Sequence, residues 1–231
     1  MQCLNLYKTS LPLGSGLEST DNQPGDDACL LAVMGLVHMA NKEGDASQKA
    51  WKPIRLLQAL SLLDFLLSRS KHNYQALLII VQLYVRIGAG SLAFTTYSRL
   101  SIKQIQHDTM SHILLTRVST LHPHTITTMA GGDYVAKDLD PAIHLSEAVS
   151  IYPKTHVDVR VQIRKAIEAG NYAQVARFWD FDIRQFNSIC KHMWHVEGRR
   201  IERLYSPGSG YSRFRIHCRH PGLSSENVHH R

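Results

Sequence analysis

A strongly apolar stretch runs from Asn73 to Ile87, where nearly every position is hydrophobic. Its polar exceptions, Gln75, Gln82 and Arg86, recur at i, i+7 and i+11 and therefore form one narrow stripe along a helix. A helix that is apolar on nearly every side must be covered by neighbours on several sides. The pattern therefore predicts a helix at the centre of a larger helical assembly.

Two further helices are predicted directly after this one. The Gly-Ala-Gly turn at 88–90 ends the apolar helix and lets the chain reverse. An amphipathic helix follows, with Leu92, Ala93 and Tyr97 on one face. Asp108 is the expected N-cap of a third helix, whose apolar positions recur at i, i+3, i+4, i+8 and i+11. These positions are Met110, Ile113, Leu114, Val118 and Leu121.

The remaining segments complete an all-α prediction. Residues 1–25 lack a helical period and are expected to form an extended leader, residues 26–205 a helical-repeat (TPR-like) region, and residues 206–231 a disordered tail. Residues 125–139 are expected to form a long loop. The other expected helices cover Ala28–Met39, Ile54–Ser68, Asp140–Ser150 and Val157–Ala169, with a break at Tyr152 and Pro153. Tyr172–Trp179 and Asp182–Leu204 are expected to form one or two further helices. The expected core of the central hairpin is Leu77, Ile80, Leu83 and Tyr84.

A degenerate internal repeat supports this fold. The tetratricopeptide (TPR) pattern places small residues at the turn and packing positions of a helix hairpin, with aromatic residues near both ends of the frame. Two sets of residues at offsets 0, 4, 9 and 13 follow it: Tyr84, Gly88, Ala93 and Tyr97, and then Ala166, Gly170, Val175 and Trp179. Any helix hairpin could give Gly and Ala at such spacing, so the predicted class is a TPR-like α-solenoid of antiparallel helix hairpins.

Three stretches of the central region also carry a family resemblance. The segments Ser70–Leu78, Gly88–Ala93 and Tyr97–Asp108 resemble the auxiliary, non-catalytic subunit of the N-terminal acetyltransferase B complex, NatB. The similarity extends from about Leu11 to about Leu204. Its most specific part is Ile102–Asp108, with the sequence Ile-Lys-Gln-Ile-Gln-His-Asp. Composition and helical period carry no information about this function.

The resemblance implies a scaffold that binds and stabilises a separate catalytic subunit and connects the complex to the ribosome. Such a complex acetylates nascent N-termini that begin Met-Asp, Met-Glu, Met-Asn or Met-Gln, and its catalytic subunit holds the acetyl-CoA. The expectation for this chain is therefore no catalytic, cofactor or metal residues, a catalytic subunit as partner, and no binding to membrane or DNA. The partner-binding residues remain undefined by the sequence.

Auxiliary subunits of this family are several-fold longer, so helical repeats are expected on both sides of this piece. The end helices should then expose apolar side chains, because each repeat leaves an apolar face for its neighbour. The chain by itself is expected to be prone to aggregation. The residues expected to be exposed are Leu31, Met34, Phe186, Ile189 and Met193.

Composition narrows the class of protein. With 231 residues, 44% of them hydrophobic and 19% charged, the chain can bury a core. Four cysteines without a Cys-x-x-Cys motif favour free thiols in a reducing compartment, and no apolar run reaches the ~20 residues that span a bilayer. A cytoplasmic location is expected.

Two other functions remain as alternatives to the scaffold subunit. The net charge of +7 is compatible with a basic RNA-binding helical protein, and the helical repeats are compatible with a generic TPR-like peptide-binding adaptor.

Candidate chemistry is sparse. Acetyltransferase catalytic subunits cradle the acetyl-CoA pyrophosphate in a glycine-rich turn between a strand and a helix. The segment Arg86–Gly90 has one residue fewer before its first glycine than that turn requires, and it follows a predicted helix where the turn must follow a strand.

Cys190, His192 and His195 share one predicted helix and are candidate metal ligands. A zinc site needs about four ligands, and the nearest further candidates are His217, Cys218 and His220. The basic run Arg199–Arg203 is expected to be a solvated helix face, with contact to a phosphate backbone as the alternative.

Overall fold

A computed structural model of the chain describes residues 2–18, 20–42, 51–127 and 138–205. These residues are helical apart from turns, connections and one pair of two-residue strands, which confirms the all-α prediction. None of the helices in the described ranges has the length and apolar character needed to cross a membrane. The chain divides into two compact units, Met1–Pro141 and Ala142–Arg231. The predicted tail at 206–231 lies outside the described residues.

The first unit is built from helices that pack in sequence order. The second helix packs against the first and the third, the third against the fourth, and the fourth against the fifth. A 3-10 turn at Leu11–Gly14 follows the first helix. The helices are Gln2–Ser10 (α1), Asp26–Lys42 (α2), Trp51–Arg69 (α3), Tyr74–Ile87 (α4), Gly90–Arg99 (α5), Gln106–Met110 (α6), His112–Leu115 (α7) and Val118–Leu121 (α8).

The core of this unit lies mainly between α1, α2, α3 and α4. Helix α4 begins at an N-cap, Asn73, whose side-chain oxygen accepts a hydrogen bond from the Ala76 backbone N–H. Of the predicted core residues Leu77, Ile80 and Leu83 are buried, whereas Tyr84 is only partly buried. The apolar period of α4 therefore identified its buried face correctly, with one position at the edge of that face.

The turn between α4 and α5 needs both of its glycines, for different reasons. Gly88 has a φ of +81°, a left-handed conformation that non-glycine residues adopt at a cost. Gly90 lies close to the end of α8, because a Cβ built on it would stand 2.7 Å from the Cβ of His122 and 2.9 Å from the carbonyl oxygen of Leu121. The prediction of a hairpin turn at 88–90 is confirmed.

Two predictions for the first unit are wrong in detail. The expected extended leader at 1–25 contains α1 and the 3-10 turn, and α1 is anchored to the core by the buried side chain of Tyr7. The expected third helix is divided into α6, α7 and α8, and Asp108 lies in the first turn of α6, whose N-cap is Ile105. Helical period alone did not detect these breaks, because the apolar spacing continues through them.

The long loop predicted at 125–139 is paired at its two ends. The strands Ile126–Thr127 (β1) and Asp138–Leu139 (β2) form an antiparallel pair, in which Ile126 lies opposite Leu139 and Thr127 opposite Asp138. The residues between the two strands lie outside the described ranges. A two-residue ladder contributes little to the core, so it does not change the class of the fold.

The second unit contains three longer helices. They are Pro141–Glu168 (α9), Tyr172–Phe186 (α10) and Ile189–Tyr205 (α11). The predicted break at Tyr152 and Pro153 is wrong, because α9 continues through Pro153. A proline in a helix costs about 3 kcal/mol, and here buried apolar side chains on both sides of it, including Tyr152 and Val159, keep the helix in place. The boundary expected between Trp179 and Asp182 is also wrong, since α10 continues to Phe186 and α11 begins at Ile189.

Candidate partner-binding surfaces

The glycine turn of the first unit has its backbone donors engaged inside the fold. The N–H of Gly88 donates to the Val85 carbonyl at 3.3 Å, and the N–H of Ala89 donates to the Tyr84 carbonyl at 2.9 Å. The N–H of Gly90 donates to the carbonyl of Gly88 at 3.0 Å. A pyrophosphate cradle needs free N–H groups that point at the ligand. This turn therefore ends a helix and begins the next one, and its geometry does not fit the acetyl-CoA site.

The equivalent turn of the second unit repeats this hydrogen bonding. Gly170 has a φ of +67°, its N–H donates to Ile167, and the N–H of Asn171 donates to the carbonyl of Ala166 at 2.8 Å. The donors and acceptors have the same sequence offsets as at Gly88 and Ala89. These 6→1 and 5→2-type bonds are the usual way in which a helix ends at a left-handed glycine. The predicted internal repeat thus corresponds to two turns of the same local geometry.

A buried polar network joins three helices of the first unit. The Asp26 carboxylate oxygen Oδ2 accepts hydrogen bonds from the Gln23 backbone N–H (3.2 Å) and from Asn73 Nδ2 (3.0 Å), while the same Gln23 N–H lies 3.1 Å from Ser70 Oγ. Burial, and then the negative charge of Asp26, raise the pKa of the Tyr7 hydroxyl to about 12. The network fixes the start of α2 against the connection between α3 and α4, so its role is structural.

Cys29 belongs to the same buried region. Its thiol is fully buried and lies 3.9 Å from the Leu62 carbonyl oxygen. Burial, followed by the charge of Asp26, raises the pKa of Cys29 to about 11. A thiol that is held protonated is a poor nucleophile and a poor metal ligand. Cys29 thus behaves as a small core residue.

The histidines and the third described cysteine are distributed over different environments. His195 is buried, His192 is exposed, and Cys190 is a half-buried free thiol. Across the described ranges, no group of three or more His, Cys, Asp or Glu side chains is placed to hold a metal ion. The further candidates His217, Cys218 and His220 lie outside those ranges.

The basic run on α11 is mainly a solvated face, as expected. Arg199, Arg200 and Arg203 are exposed, whereas Ile201 is buried. Arg200 donates to the buried carboxylate of Glu197 at 2.6 Å. One of the three arginines is therefore committed to an intramolecular ion pair.

The second unit is held together by a small aromatic and polar core. Trp194 is fully buried on α11, and its ring lies 6.0 Å from the ring of Tyr152 on α9. The Tyr152 hydroxyl is hydrogen-bonded to Ser188, at 3.1 Å. His156 Nδ1 lies 2.8 Å from Asp182 Oδ1 and links α9 to α10. These contacts explain why α9 is not interrupted at Pro153.

Two helices of the second unit present apolar side chains to solvent. On α10, Tyr172, Trp179 and Ile183 recur at i, i+7 and i+11 and are all exposed, Trp179 by 61%. The single buried residue of α10 is Gln185. On α11 the exposed apolar residues recur at i, i+4, i+7 and i+15. They are Ile189, Met193, Val196 and Leu204.

The sequence located part of this exposed surface. The predicted exposure is confirmed at Leu31, Met34, Ile189 and Met193, and Phe186 is half-buried. The stripe on α10 was missed. Its apolar period was visible, but the same period is typical of a helix that faces a core. The exposure of Trp179 to solvent could therefore not be read from the sequence.

Comparison with known families gives a consistent match over nearly the whole chain. The family model of the N-acetyltransferase B complex (NatB) non catalytic subunit matches residues 1–220. The subunit arm1 of the N-terminal acetyltransferase B complex of Schizosaccharomyces pombe is 32% identical over 205 residues, which cover 88% of this chain and 23% of that protein. The match thus includes both compact units.

Two further relatives point to the same family. The human N-alpha-acetyltransferase 25, NatB auxiliary subunit, is 29% identical over 198 residues, or 86% of this chain and 18% of the human protein. The subunit MDM20 of the N-terminal acetyltransferase B complex of Saccharomyces cerevisiae is 20% identical over 162 residues, or 70% of this chain and 19% of the yeast protein. The chain therefore spans less than a quarter of the length of these relatives.

Proposed function

The chain belongs to the family of the non-catalytic subunit of the NatB complex, and from this premise we propose that it is a scaffold segment that binds and stabilises the catalytic acetyltransferase subunit. The observation that carries the proposal is the family match over residues 1–220. Because that family is non-catalytic, the chain is not the enzyme of the complex. Binding of the catalytic subunit by this chain goes beyond the family match and is the part that we propose.

A TPR-like α-solenoid is the architecture that we propose for this scaffold. It is supported by the turns at Gly88 and Gly170, which repeat the same hydrogen bonds at the same spacing. It is also supported by the exposed stripe of α10, because a repeat in a solenoid leaves an apolar face for its neighbour. In this proposal residues 26–205 form the helical-repeat region, and neighbouring repeats cover Trp179 and Ile183.

The activity of the assembled complex follows from the proposed partner. Acetyl-CoA is held by the catalytic subunit, and the substrates are nascent chains that begin Met-Asp, Met-Glu, Met-Asn or Met-Gln. The complex works in the cytoplasm at the ribosome. The contribution of this chain is to position and stabilise the catalytic subunit.

Co-purification tests the proposal directly. The tagged chain, isolated from cells of its own source, should retain an acetyltransferase, and the eluate should acetylate a peptide that begins Met-Asp more strongly than one that begins Ser-Ala. The chain purified free of that enzyme should neither bind nor use acetyl-CoA. A wild-type preparation that is folded by circular dichroism but retains no acetyltransferase would contradict the proposal.

A further inference from the structure

The stretch Ile102–Asp108 begins in an exposed and strained loop. The loop between α5 and α6 contains two non-glycine residues in the left-handed region, Ser101 with a φ of +50° and Gln104 with a φ of +49°. Such residues are uncommon outside glycine, and strain of this kind is retained where the surrounding structure imposes it. The loop is therefore held in a defined shape.

Hydrogen bonds inside the loop produce that shape. The backbone N–H of Lys103 donates to Gln106 Oε1 at 3.0 Å, and the backbone N–H of Gln106 donates back to the Lys103 carbonyl oxygen at 3.1 Å. This reciprocal pair closes a four-residue turn with Gln104 and Ile105 at its tip. Lys103, Gln104 and Ile105 are all exposed.

A buried polar contact anchors the base of the loop. The Tyr97 hydroxyl on α5 donates to Ser111 Oγ at 2.6 Å, and His107 Nδ1 lies 2.9 Å from the same oxygen atom. Tyr97 and Ser111 are buried. The two ends of the loop are thus tied to one buried hydroxyl group. A loop ordered in advance loses less conformational entropy when it binds a partner.

The loop shares one end of the α4–α5 hairpin with the connection between α3 and α4. Arg99 Nη2 donates to the carbonyl oxygen of Lys71 at 3.4 Å and joins the two segments. The connection and the first residue of α4 expose further polar and aromatic side chains. We call this exposed set the basic rim, and it consists of Lys71, His72, Tyr74, Lys103, Gln104 and Ile105.

The two lysines of the basic rim are not neutralised by ion pairs within the described part of the chain. Lys71 and Lys103 form no ion pair with any of the described residues. Arg99 differs, because it interacts with Asp64 on α3. Asp108 on α6 is half-buried. Among the described residues the rim therefore offers two ammonium groups without an ion-pair partner, together with an exposed tyrosine and an exposed isoleucine.

We propose that the basic rim is a docking surface for a face of the catalytic acetyltransferase subunit that carries carboxylates beside an apolar socket. The inference rests on the proposed function. Carboxylates of the partner pair with Lys71 and Lys103, and the socket receives Ile105. A protein partner fits better than a nucleic acid, because the rim includes a hydrogen-bonded turn that exposes the apolar side chain of Ile105. Nucleic-acid sites instead rely on many flexible cations that follow a phosphate backbone.

Photo-cross-linking tests the identity of the occupant. With p-benzoylphenylalanine in place of Gln104, the complex isolated from its source cells should yield an adduct with the acetyltransferase. The same residue in place of Gln82, an exposed glutamine on α4, is the matched control and should give little adduct. An adduct with RNA, an adduct with a different polypeptide only, or no adduct from Gln104 overturns the proposal when the acetyltransferase is present in the preparation.

Charge reversal tests the ammonium groups. K71E/K103E should lower the amount of co-purified acetyltransferase about five- to ten-fold. The control K8E/K42E makes the same change in net charge at exposed lysines outside the rim and should leave that amount unchanged. Helix α2 places Lys42 about 25 Å from its own N-terminal end, which adjoins the α3–α4 connection. Equal retention by both double variants overturns the proposal.

Glycine variants separate binding from stability. S101G and Q104G should raise the melting temperature, because glycine adopts the left-handed conformation without strain. They should also lower retention of the acetyltransferase two- to five-fold, since the loop is less ordered before binding. Retention equal to the wild type overturns the role of the strained loop. If the wild-type chain itself retains no acetyltransferase, the proposed function is wrong as well, and the two failures are thereby distinguished.

Discussion

The hairpin at Gly88 and the hairpin at Gly170 turn with the same hydrogen bonds but bury their aromatic residues differently. Tyr97, the second aromatic of the first frame, is 4% exposed, whereas Trp179, at the equivalent position of the second frame, is 61% exposed. The first is covered because α7 packs against α4 and α5 and places Ser111 on the Tyr97 hydroxyl. Local geometry therefore does not determine burial, which depends on the next element along the chain.

Substitution of the two aromatic residues should give the largest contrast. Tyr97→Ala removes a buried ring and a hydrogen bond to Ser111 and should cost about 3–5 kcal/mol of unfolding free energy. Trp179→Ala removes a mainly exposed ring and should change that free energy by less than about 1 kcal/mol. Urea unfolding followed by circular dichroism measures both. Equal costs would show that Trp179 is covered in the folded chain.

Gly90 provides the next test, since its neighbours are close. Gly90→Ala places a Cβ 2.9 Å from a backbone carbonyl oxygen, that of Leu121, and should cost about 1–3 kcal/mol because the end of α8 must move. Gly35→Ala is the matched control, since a Cβ at Gly35 on α2 would meet no atom within 4 Å. That control should be neutral or slightly stabilising, because alanine favours a helix. Equal melting temperatures for the two variants would contradict the close approach at Gly90.

The two left-handed glycines should behave alike. A Cβ at Gly88 or at Gly170 meets no other atom within 4 Å, so only the positive φ opposes alanine there. Gly88→Ala and Gly170→Ala should each cost about 1–2 kcal/mol. Asparagine tolerates this conformation better and should recover part of the loss at both positions. A cost at Gly170 far below that at Gly88 would show that the second turn adjusts where the first does not.

The two units should respond to pH in opposite directions, and the alkaline loss of the first unit should reach about 1 kcal/mol at pH 9.5. In the first unit, burial raises the pKa of the Cys29 thiol to about 11, against 9.0 for an ordinary thiol. As the pH rises, this thiol therefore loses its proton in the unfolded chain before it does so in the folded chain. Stability is therefore fully present below pH 9 and falls as the pH rises toward 11. Cys29→Ala should remove most of this alkaline loss, and the smaller remainder comes from the raised pKa of Tyr7, as measured by urea midpoints at pH 7.5 and 9.5.

The second unit should lose stability on the acid side. Burial, and then the positive charges of Lys191, His192 and Arg199, lower the pKa of His195 below its ordinary value of 6.5. As the pH falls, His195 therefore binds a proton in the unfolded chain before it does so in the folded chain. The stability that neutral His195 contributes is present above pH 6.5 and decreases as the pH drops below that value. Tryptophan fluorescence during urea unfolding at pH 7.5 and 5.5, with Trp51 and Trp179 replaced by Phe so that Trp194 is the reporter, measures the effect. His192→Gln removes one of the lesser positive neighbours of His195 and should reduce the acid loss without abolishing it, whereas a pH-independent midpoint in the wild type would contradict the assignment.

The sequence was most informative where one local interaction decides the structure. Gly88 and Gly170 end their helices in the left-handed conformation, and the apolar period of α4 identifies Leu77 and Ile80 as core. Each of these features depends on side chains within about one helical turn. The family resemblance likewise rests on the order of residues along the chain, which the match over residues 1–220 confirms.

Sequence-based predictions failed where residues far away along the chain determine the local structure. The break expected at Pro153 does not occur, because Tyr152 packs on Trp194 and bonds to Ser188, which lie some 40 residues away. The leader was expected to be extended, but Tyr7 is buried against residues of α2 and α3. A side chain's own segment carries no information about partners of this kind.

The sequence by itself therefore determined the all-α class, most helices, both glycine turns and the family. Only the tertiary structure decided which apolar faces are buried, because a helix has the same period whether or not another element covers it. It also brought Lys71 beside the strained loop at Ser101 and Gln104 to form the basic rim, through a hydrogen bond between residues 28 positions apart. That proximity results from the reversal of the chain at Gly88, which returns α5 to the end of the hairpin where α4 begins.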